Sequence, residues 1–323
     1  MHSNIKKICL LFFCFQGLFV GYADEKDYLE LANKAFDEEC YSLAYQYYLK
    51  VGNIKDASAQ YNLGNMFYLG EGVNQDLKKA VDWYKKSAEQ GNAWAQVSLG
   101  ICYYKGLGIK QNFEKAFYWF QKSTNQGNLY AQENLANCYL NGLGTKKDLN
   151  RFIELLIEPA ENGFMNSQYN LGWAYYEGDI VPQDYSKAKK WFSKAAEQGD
   201  AVSQYYLGII YYYGLDGIQN FEEGFYWFEK STEQGNLDAQ EMLANCYLNG
   251  HGVKKNLTLF LELSKLPAEN GYETSQYNLG LAYFYGDIVP QDYSEAKKWF
   301  AKAAEQGSKS AKEKLKEMKN IGY

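Results

Sequence analysis

Two serine–lysine pairs are the residues of this chain whose spacing could support nucleophilic catalysis. Ser186 is followed by Lys189, and Ser294 by Lys297, so each pair has Ser-x-x-Lys spacing. One helical turn can place such a lysine amine beside the serine hydroxyl, whose proton it would accept. The Ser-Asp-Asn and Lys-Thr-Gly motifs that accompany this chemistry do not occur in the sequence, and serine is common at helix starts. We therefore interpret both pairs as helix-surface residues and assign no catalytic residue.

Histidine chemistry is restricted, because the chain holds only His2 and His251. His2 lies in an N-terminal segment that is predicted to be removed. His251 stands between two glycines in a turn and is interpreted as a solvated loop residue. Zinc sites and histidine-dependent triads are thereby excluded. The sequence predicts no metal, no cofactor and no enzymatic activity.

Four cysteines follow the N-terminal segment, and three of them share one equivalent position. Cys102, Cys138 and Cys246 each stand three residues after a recurrent leucine, where other copies have methionine, alanine or isoleucine. These substitutes describe a small apolar core position, and stacked helices lie about 8–10 Å apart, beyond disulfide reach. The three are predicted to be buried thiols. Cys40 has no evident partner, which leaves a free or an intermolecular thiol.

A period of 36 residues, without insertion or deletion, determines where all of these residues lie. Leucine recurs at Leu63, Leu99, Leu135, Leu171, Leu207, Leu243, Leu279 and Leu315, and glycine at Gly91, Gly127, Gly163, Gly199, Gly235, Gly271 and Gly307. Such repetition indicates a solenoid, in which each unit buries its apolar face against its neighbours. A longer period of 108 residues relates 111–199 to 219–307, so three repeats were duplicated as a block.

One repeat is predicted to form two antiparallel helices, A and B. Ala59, Leu63 and Phe67 recur at spacings of four and form the apolar stripe of helix A. Gly70 ends that helix, because glycine readily adopts the left-handed conformation that closes a helix. Asp76 is predicted to cap the start of helix B. Repetition of this pair gives an α-solenoid.

The repeat resembles a known family in the segments Ala59-Gln60-Tyr61-Asn62-Leu63-Gly64 and Lys86-Ser87-Ala88-Glu89-Gln90-Gly91. Together with the tryptophan of helix B, they resemble the Sel1-like repeat, a relative of the tetratricopeptide repeat. Ala136 and Ala244 depart from the pattern, since other copies have glycine there. The resemblance implies an all-α fold, a right-handed α/α superhelical solenoid of about seven 36-residue helix-turn-helix repeats with irregular terminal caps.

The domain organisation follows from the register of the repeat. We predict a signal peptide over residues 1–23, an N-terminal capping helix pair over 24–56 and a C-terminal capping helix over 309–323. Seven repeats fill 57–307, with the boundaries 57–92, 93–128, 129–164, 165–200, 201–236, 237–272 and 273–308.

The N-terminal segment has the pattern of a Sec-type signal peptide. Lys6 and Lys7 precede an apolar run over 8–20, and small residues stand at the positions read by signal peptidase, so cleavage is predicted after Ala23. An uncleaved anchor is the alternative, but the run is short for a bilayer span. We expect a bacterial protein that is periplasmic or secreted, without stable membrane insertion after cleavage.

The charge balance argues against nucleic acid as a partner. The net charge of the full chain is −6 at pH 7. Cleavage would remove Lys6 and Lys7 and no acidic residue, which brings the charge to −8. Nucleic acid phosphates are repelled by an acidic surface.

Tyrosine is unusually frequent, with 31 copies in the chain. By resemblance to tetratricopeptide repeats, the side of helix A opposite its core stripe lines a concave groove. The predicted partner-binding residues of that groove are Tyr61, Tyr68, Trp94, Tyr104, Tyr130, Glu133, Asn137, Tyr169, Trp173, Tyr176, Glu177, Tyr205, Tyr212, Tyr213, Glu241, Asn245, Tyr277 and Tyr285. Aromatic side chains gathered on one face are typical of protein-binding surfaces.

These patterns predict a non-catalytic scaffold that binds a neutral to basic protein or peptide. A cell-wall glycan or peptidoglycan is the alternative ligand, because tyrosine and tryptophan also stack on sugars. A more distant alternative is β-lactam binding or hydrolysis, as in cysteine-rich relatives, whose paired cysteines this chain lacks. Packing of the aromatic residues between neighbouring A helices remains the interpretation that needs no ligand.

Overall fold

The computed structural model describes residues 25–53 and 55–323, and the predicted signal peptide lies outside the described residues. The described part is all-α and contains seventeen helices and no strand. They are α1 Glu25–Asp37, α2 Tyr41–Asn53, α3 Ala57–Leu69, α4 Leu77–Glu89, α5 Ala93–Lys105, α6 Phe113–Thr124, α7 Leu129–Asn141, α8 Leu149–Glu161, α9 Met165–Glu177, α10 Tyr185–Glu197, α11 Ala201–Tyr213, α12 Phe221–Glu233, α13 Leu237–Asn249, α14 Leu257–Glu269, α15 Glu273–Tyr285, α16 Tyr293–Glu305 and α17 Lys309–Asn320.

The chain divides into two compact units, one ending at Pro159 and the other running from Ala160 to Tyr323. In the first unit, each helix from α1 to α6 packs on the next. In the second unit, the same is true from α9 to α17. The division falls within α8. Both units therefore consist of helical hairpins stacked in sequence order, which is the arrangement of an α-solenoid.

Local sequence determines the ends of the helices as predicted. In the first repeat, the Asp76 carboxylate accepts a hydrogen bond from the backbone N–H of Lys79, at the start of α4. Gly70 has a φ of 81° and its N–H donates to Met66, which closes α3. Side-chain caps of aspartate or asparagine recur at most other helix starts. Phe164 and Tyr272, which are 108 residues apart, make no side-chain cap.

A close approach between the two helices of one repeat forms the core. Gly172 of helix A lies against the Phe192 ring of helix B, and a Cβ at Gly172 would come 2.6 Å from the ring. The same pairing of glycine with a ring 20 residues later recurs at Gly64 and Tyr84, Gly100 and Phe120, Gly208 and Phe228, and Gly280 and Phe300. The cost of glycine inside a helix, about 1 kcal/mol relative to alanine, is thus offset by packing on the ring.

In the two repeats with alanine in place of the helix A glycine, the helix B residue twenty positions later is smaller than a ring. Twenty residues after Ala136 stands Leu156, and twenty residues after Ala244 stands Ser264. Both partners are smaller than phenylalanine, and both are fully buried. The departures from the glycine pattern are therefore compensated within the same hairpin.

Buried glutamines join successive repeats, a feature that was not predicted. The Gln168 amide nitrogen donates to the carbonyl of Ala160, at 2.8 Å, in the preceding helix B. The Gln168 oxygen accepts from Gln198 of its own repeat, at 2.7 Å. The same two bonds occur at Gln96, Gln204 and Gln276. Since these side chains are almost fully buried, their amide groups need such partners.

The three repeated cysteines are buried free thiols, as predicted. Burial raises the pKa of Cys102 and Cys138 to about 11 and that of Cys246 to about 12. Cys40 is also buried and is disulfide-bonded, which decides against the free-thiol alternative.

No helix within the described ranges is long and apolar enough to cross a membrane.

The pairing of glycine with a ring predicts a measurable coupling between Gly172 and Phe192. Gly172→Ala should lower stability by about 1 kcal/mol, because overpacking against the ring exceeds the gain in helix propensity. Phe192→Leu alone should lower stability by leaving a cavity. The double variant reproduces the residues of the third repeat, so it should be more stable than the sum of the two changes by about 1 kcal/mol. Urea unfolding followed by circular dichroism measures this coupling, and strict additivity would contradict the packing argument.

Candidate functional site

The Ser186 and Lys189 pair does not present a free amine to the serine. Lys189 Nζ lies 2.8 Å from Asp216 Oδ2 and 3.9 Å from the centroid of the Tyr211 ring. Asp216 is nearly buried, whereas Ser186 is exposed at the start of α10. The lysine therefore joins α10 to the turn after α11. This contact supports a structural role for Lys189.

His251 is not the solvated loop residue that the sequence suggested. Its ring stacks on Phe221 with 4.2 Å between the ring centroids, and its Nδ1 is 2.7 Å from the Tyr212 hydroxyl. Tyr212 is only 8% exposed and also packs on Phe228. Tyr212 therefore belongs to the core of the second unit, which corrects its prediction as a groove residue.

Several tyrosines that were predicted to line the groove are half-buried. Each packs on the helix B ring that contacts the helix A glycine of its own repeat. Tyr61 packs on Tyr84 with ring centroids 6.0 Å apart. Tyr169 on Phe192, Tyr205 on Phe228, and Tyr277 on Phe300 repeat this contact in the second unit. These tyrosines contribute to the core through one side of the ring. Part of the aromatic pattern is therefore explained by packing alone.

In the first unit, some of the predicted groove residues pack on the core or are half-buried, and others are exposed. Tyr68 packs against the hydrophobic core, and the Tyr104 ring lies 5.5 Å from Phe113. Glu133 and Asn137 are half-buried on α7. Trp94 and Tyr130, by contrast, are about half exposed, and their ring centroids are 5.2 Å apart. This pair is an aromatic platform at the starts of α5 and α7.

In the second unit, three rings on neighbouring A helices form an aromatic cluster, which we define as Trp173, Tyr176 and Tyr206. Tyr206 lies 5.0 Å from Trp173 and 5.1 Å from Tyr176, measured between ring centroids. All three are partly exposed, and Tyr206 also stacks on Phe192. Packing against the buried Phe192 holds the cluster in place. The cluster combines ordered rings with accessible surface.

Tyr206 was missed in the sequence prediction. It stands one residue after the face position that was selected, where the other copies have Asn62, Ser98, Asn134, Asn170, Met242 and Asn278. The signal that would have found it is this difference between copies. A bulky aromatic residue at a position that is otherwise mostly asparagine or serine indicates a local specialisation of the surface.

Carboxylates adjoin the aromatic cluster. Burial, together with the charges of Asp238 and Glu177 and its tyrosine neighbours, raises the pKa of Tyr206 to about 12. Burial, its hydrogen bond to Asp238 and the nearby charges raise the pKa of Tyr272 to about 12 as well. Glu241 accepts hydrogen bonds from the backbone N–H and the hydroxyl of Ser275, and burial still raises its pKa. The electrostatic field on this face is negative.

The A helices of the second unit contain no lysine or arginine to neutralise that field. Their sequences, in α9, α11, α13 and α15, hold acidic and aromatic residues but no basic one. Glu177 and the ring of Tyr213 are exposed, and Asn245 is half-buried. Tyr285 is also exposed, and its hydroxyl contacts Lys314 of α17. We call the partly exposed side of these four helices the A face. It includes Trp173, Tyr176, Glu177, Tyr206, Tyr213, Asp238, Asn245 and Tyr285.

This combination of stacked helical hairpins and a specialised helix face defines an α-helical repeat protein. The profile of the Sel1 repeat matches residues 57–92, 95–128, 129–162, 166–200, 201–236, 237–259 and 274–308. The chain belongs to the Sel1 repeat family.

Two solved structures share the fold along most of the chain. One is c5321, a protective antigen present in uropathogenic Escherichia coli strains, which displays an SLR fold. It is 30% identical, with a TM-score of 0.77 over 92% of this chain and 72% of c5321. The other is a Sel1 repeat protein from Oxalobacter formigenes, 28% identical, with a TM-score of 0.64 over 75% of this chain and 96% of that protein.

Curated relatives match a shorter segment. Putative beta-lactamase HcpC of Helicobacter pylori strain J99 is 34% identical over 84 residues, and its counterpart in strain 26695 is 32% identical over 80 residues. These segments cover 24% and 23% of this chain. They span only 29% and 27% of the two relatives.

A structural role for Lys189 predicts an acid-sensitive loss of stability on its replacement. Lys189→Met should lower the free energy of unfolding at pH 7 by about 1–3 kcal/mol, because Asp216 would remain nearly buried without its cation. Urea unfolding measures this loss. The matched control is Lys190→Met, since Lys190 is exposed on the same helix and should change stability by less than about 0.5 kcal/mol.

The pH dependence of this difference has a definite sign. Burial opposes ionisation of Asp216, but hydrogen bonds from Lys189 and from the backbone of Ile218 hold its pKa below the usual value. A carboxyl with a lowered pKa stabilises the fold above its unfolded pKa, and this stabilisation disappears as pH falls through the folded pKa. The gap between wild type and Lys189→Met should therefore be complete at pH 7 and shrink below about pH 4. A gap that is independent of pH would contradict the ion pair.

Proposed function

We propose that this protein is a non-catalytic scaffold that binds a neutral to basic protein segment on the A face of its second unit. The observation that carries the proposal is the acidic, aromatic surface on four successive A helices without lysine or arginine. Aromatic rings supply apolar contact area, and the carboxylates of Glu177 and Asp238 favour a positively charged partner. The partner segment would lie across successive A helices.

Membership of the Sel1 repeat family supports this class of function, because Sel1 repeat proteins generally bind protein partners. The name of the Helicobacter pylori relatives raises β-lactam hydrolysis as an alternative. The engagement of Lys189 with Asp216 and Tyr211 favours the scaffold, since that amine is already a partner in an ion pair. The scaffold also accounts for the A face, which hydrolysis would leave without a role.

One observation favours glycan binding as a second candidate function. Trp94 and Tyr130 of the first unit form an exposed aromatic pair with a tilt of 53° between the rings. Exposed rings can stack on the apolar faces of sugars. A cell-wall glycan would then contact the first unit, while the protein partner contacts the A face of the second.

We further propose that the protein acts in the periplasm or outside the cell. The support is the order of a basic start, an apolar run and small residues before Asp24. Both candidate ligands are available in these compartments.

The scaffold is tested by affinity capture with residues 24–323 as bait, applied to envelope and culture-medium fractions of the producing organism. The variant carries Glu177→Lys and Asp238→Lys, which reverse two exposed charges without removing a packed ring. The protein recovered by the wild type should be lost at least tenfold with this variant, because the positively charged partner would meet repulsion.

The matched control carries Glu161→Lys and Glu197→Lys. These exposed glutamates end α8 and α10, which are B helices, so the same number of charges is reversed away from the A face. The control should retain the captured protein. Equal loss in both variants would show only a nonspecific charge effect and would refute binding on the A face. Recovery of cell-wall sugar alone, lost with Trp94→Ala, would establish the glycan function instead.

A further inference from the structure

The C-terminal helix places a cation on the aromatic side of the last A helix. Lys314 of α17 has its Nζ 4.9 Å from the ring centroids of both Phe284 and Tyr285. The same ammonium is 2.7 Å from the Tyr285 hydroxyl and 2.8 Å from a carboxylate oxygen of Glu317. This place between two successive A-type helices therefore accommodates a positive charge that contacts rings, a hydroxyl and a carboxylate.

The register of the repeat relates this place to the aromatic cluster. A shift of 108 residues takes Phe284 to Tyr176 and takes Lys314 to Tyr206. The same shift takes Tyr285 to Glu177. The earlier copy thus keeps one of the two rings, at Tyr176, and has the carboxylate of Glu177 in place of the other. At the position of Lys314 it has the ring of Tyr206 and no lysine.

The charges around the earlier copy are unbalanced. Among the described residues, no ion pair is formed by Glu177 or by Asp238. Both carboxylates lie close enough to Tyr206 to disfavour its ionisation. On the neighbouring helix B, Lys189 points its ammonium at Asp216. An external cation would therefore meet negative charge and ring faces together.

We infer that Trp173, Tyr176 and Tyr206, with the carboxylates of Glu177 and Asp238, form a subsite for an arginine side chain of the bound protein. This inference rests on the proposed function and names the chemistry of its partner. Arginine fits better than lysine because its planar guanidinium can lie on a ring while its N–H groups donate to a carboxylate. The rings of Trp173 and Tyr206 meet at 66°, so they offer surfaces in two directions.

The subsite is tested with acetyl-arginine-amide as the probe, without any knowledge of the partner. Residues 24–323 labelled with ¹⁵N at tryptophan give seven indole signals, and Trp173→Phe identifies that of Trp173. The probe should shift the Trp173 signal in a saturable way, with a dissociation constant of about 10–100 mM, since few contacts hold it. Acetyl-citrulline-amide, which is neutral and similar in shape, should produce no saturable shift.

Removal of the carboxylate charges gives the second arm. In Glu177→Gln/Asp238→Asn, the dissociation constant should rise by at least about threefold, because the rings remain but the field is weaker. Glu161→Gln/Glu197→Gln removes two charges from B helices and should leave the constant unchanged. An equal rise in both variants would overturn the subsite.

The remaining outcomes are also decisive. No shift of Trp173, or an equal shift with citrulline, would overturn a cation subsite. A tighter response to acetyl-lysine-amide than to the arginine probe would overturn the choice of arginine. Capture of a protein through the A face without an arginine response would leave the scaffold intact and refute the subsite alone. An arginine response without any captured protein would refute the scaffold alone.

Discussion

The contact on which five of the seven repeats depend is the one between a helix A glycine and a helix B ring twenty positions later. Glycine at Gly172 allows Phe192 to lie directly on the helix A backbone, and the rings of Tyr169 and Tyr206 pack on Phe192 as well. One buried ring thus determines both how closely the two helices approach and where the surface tyrosines lie. The rings of the aromatic cluster are held in position by the buried Phe192, on which Tyr176 and Tyr206 pack.

On the A face, some side chains pack on the core and others extend into solvent, where a partner could contact them. Tyr205 and Tyr277 use part of the ring to complete the core, while Tyr213 and Glu177 extend into solvent. A surface built in this way loses little side-chain freedom on binding, because its larger rings are already held in position. Specificity then falls to the exposed carboxylates and to the copies in which the repeat departs from its common pattern.

The sequence alone predicted the helices, their caps and the buried thiols, because each depends on local spacing that recurs in every copy. It failed for Tyr212 and His251, whose environments depend on residues distant in the chain. Tyr206 was missed because a repeat pattern draws attention to what the copies share. The buried glutamines were missed because a polar residue on a helix is ordinarily expected at the surface.

The glutamine hydrogen bonds have a consequence for how such a chain can lengthen. Gln204 donates to the preceding repeat at Ala196 and accepts from its own repeat at Gln234, and the same two bonds form at the junctions of Gln96, Gln168 and Gln276. The third and sixth repeats have Asn162 and Asn270 in place of the second glutamine, again 108 residues apart. Unequal recombination that adds whole copies of the repeats with both glutamines therefore preserves the donor and the acceptor at each new junction. A gene of this kind can change length in evolution without leaving an amide buried and unpaired.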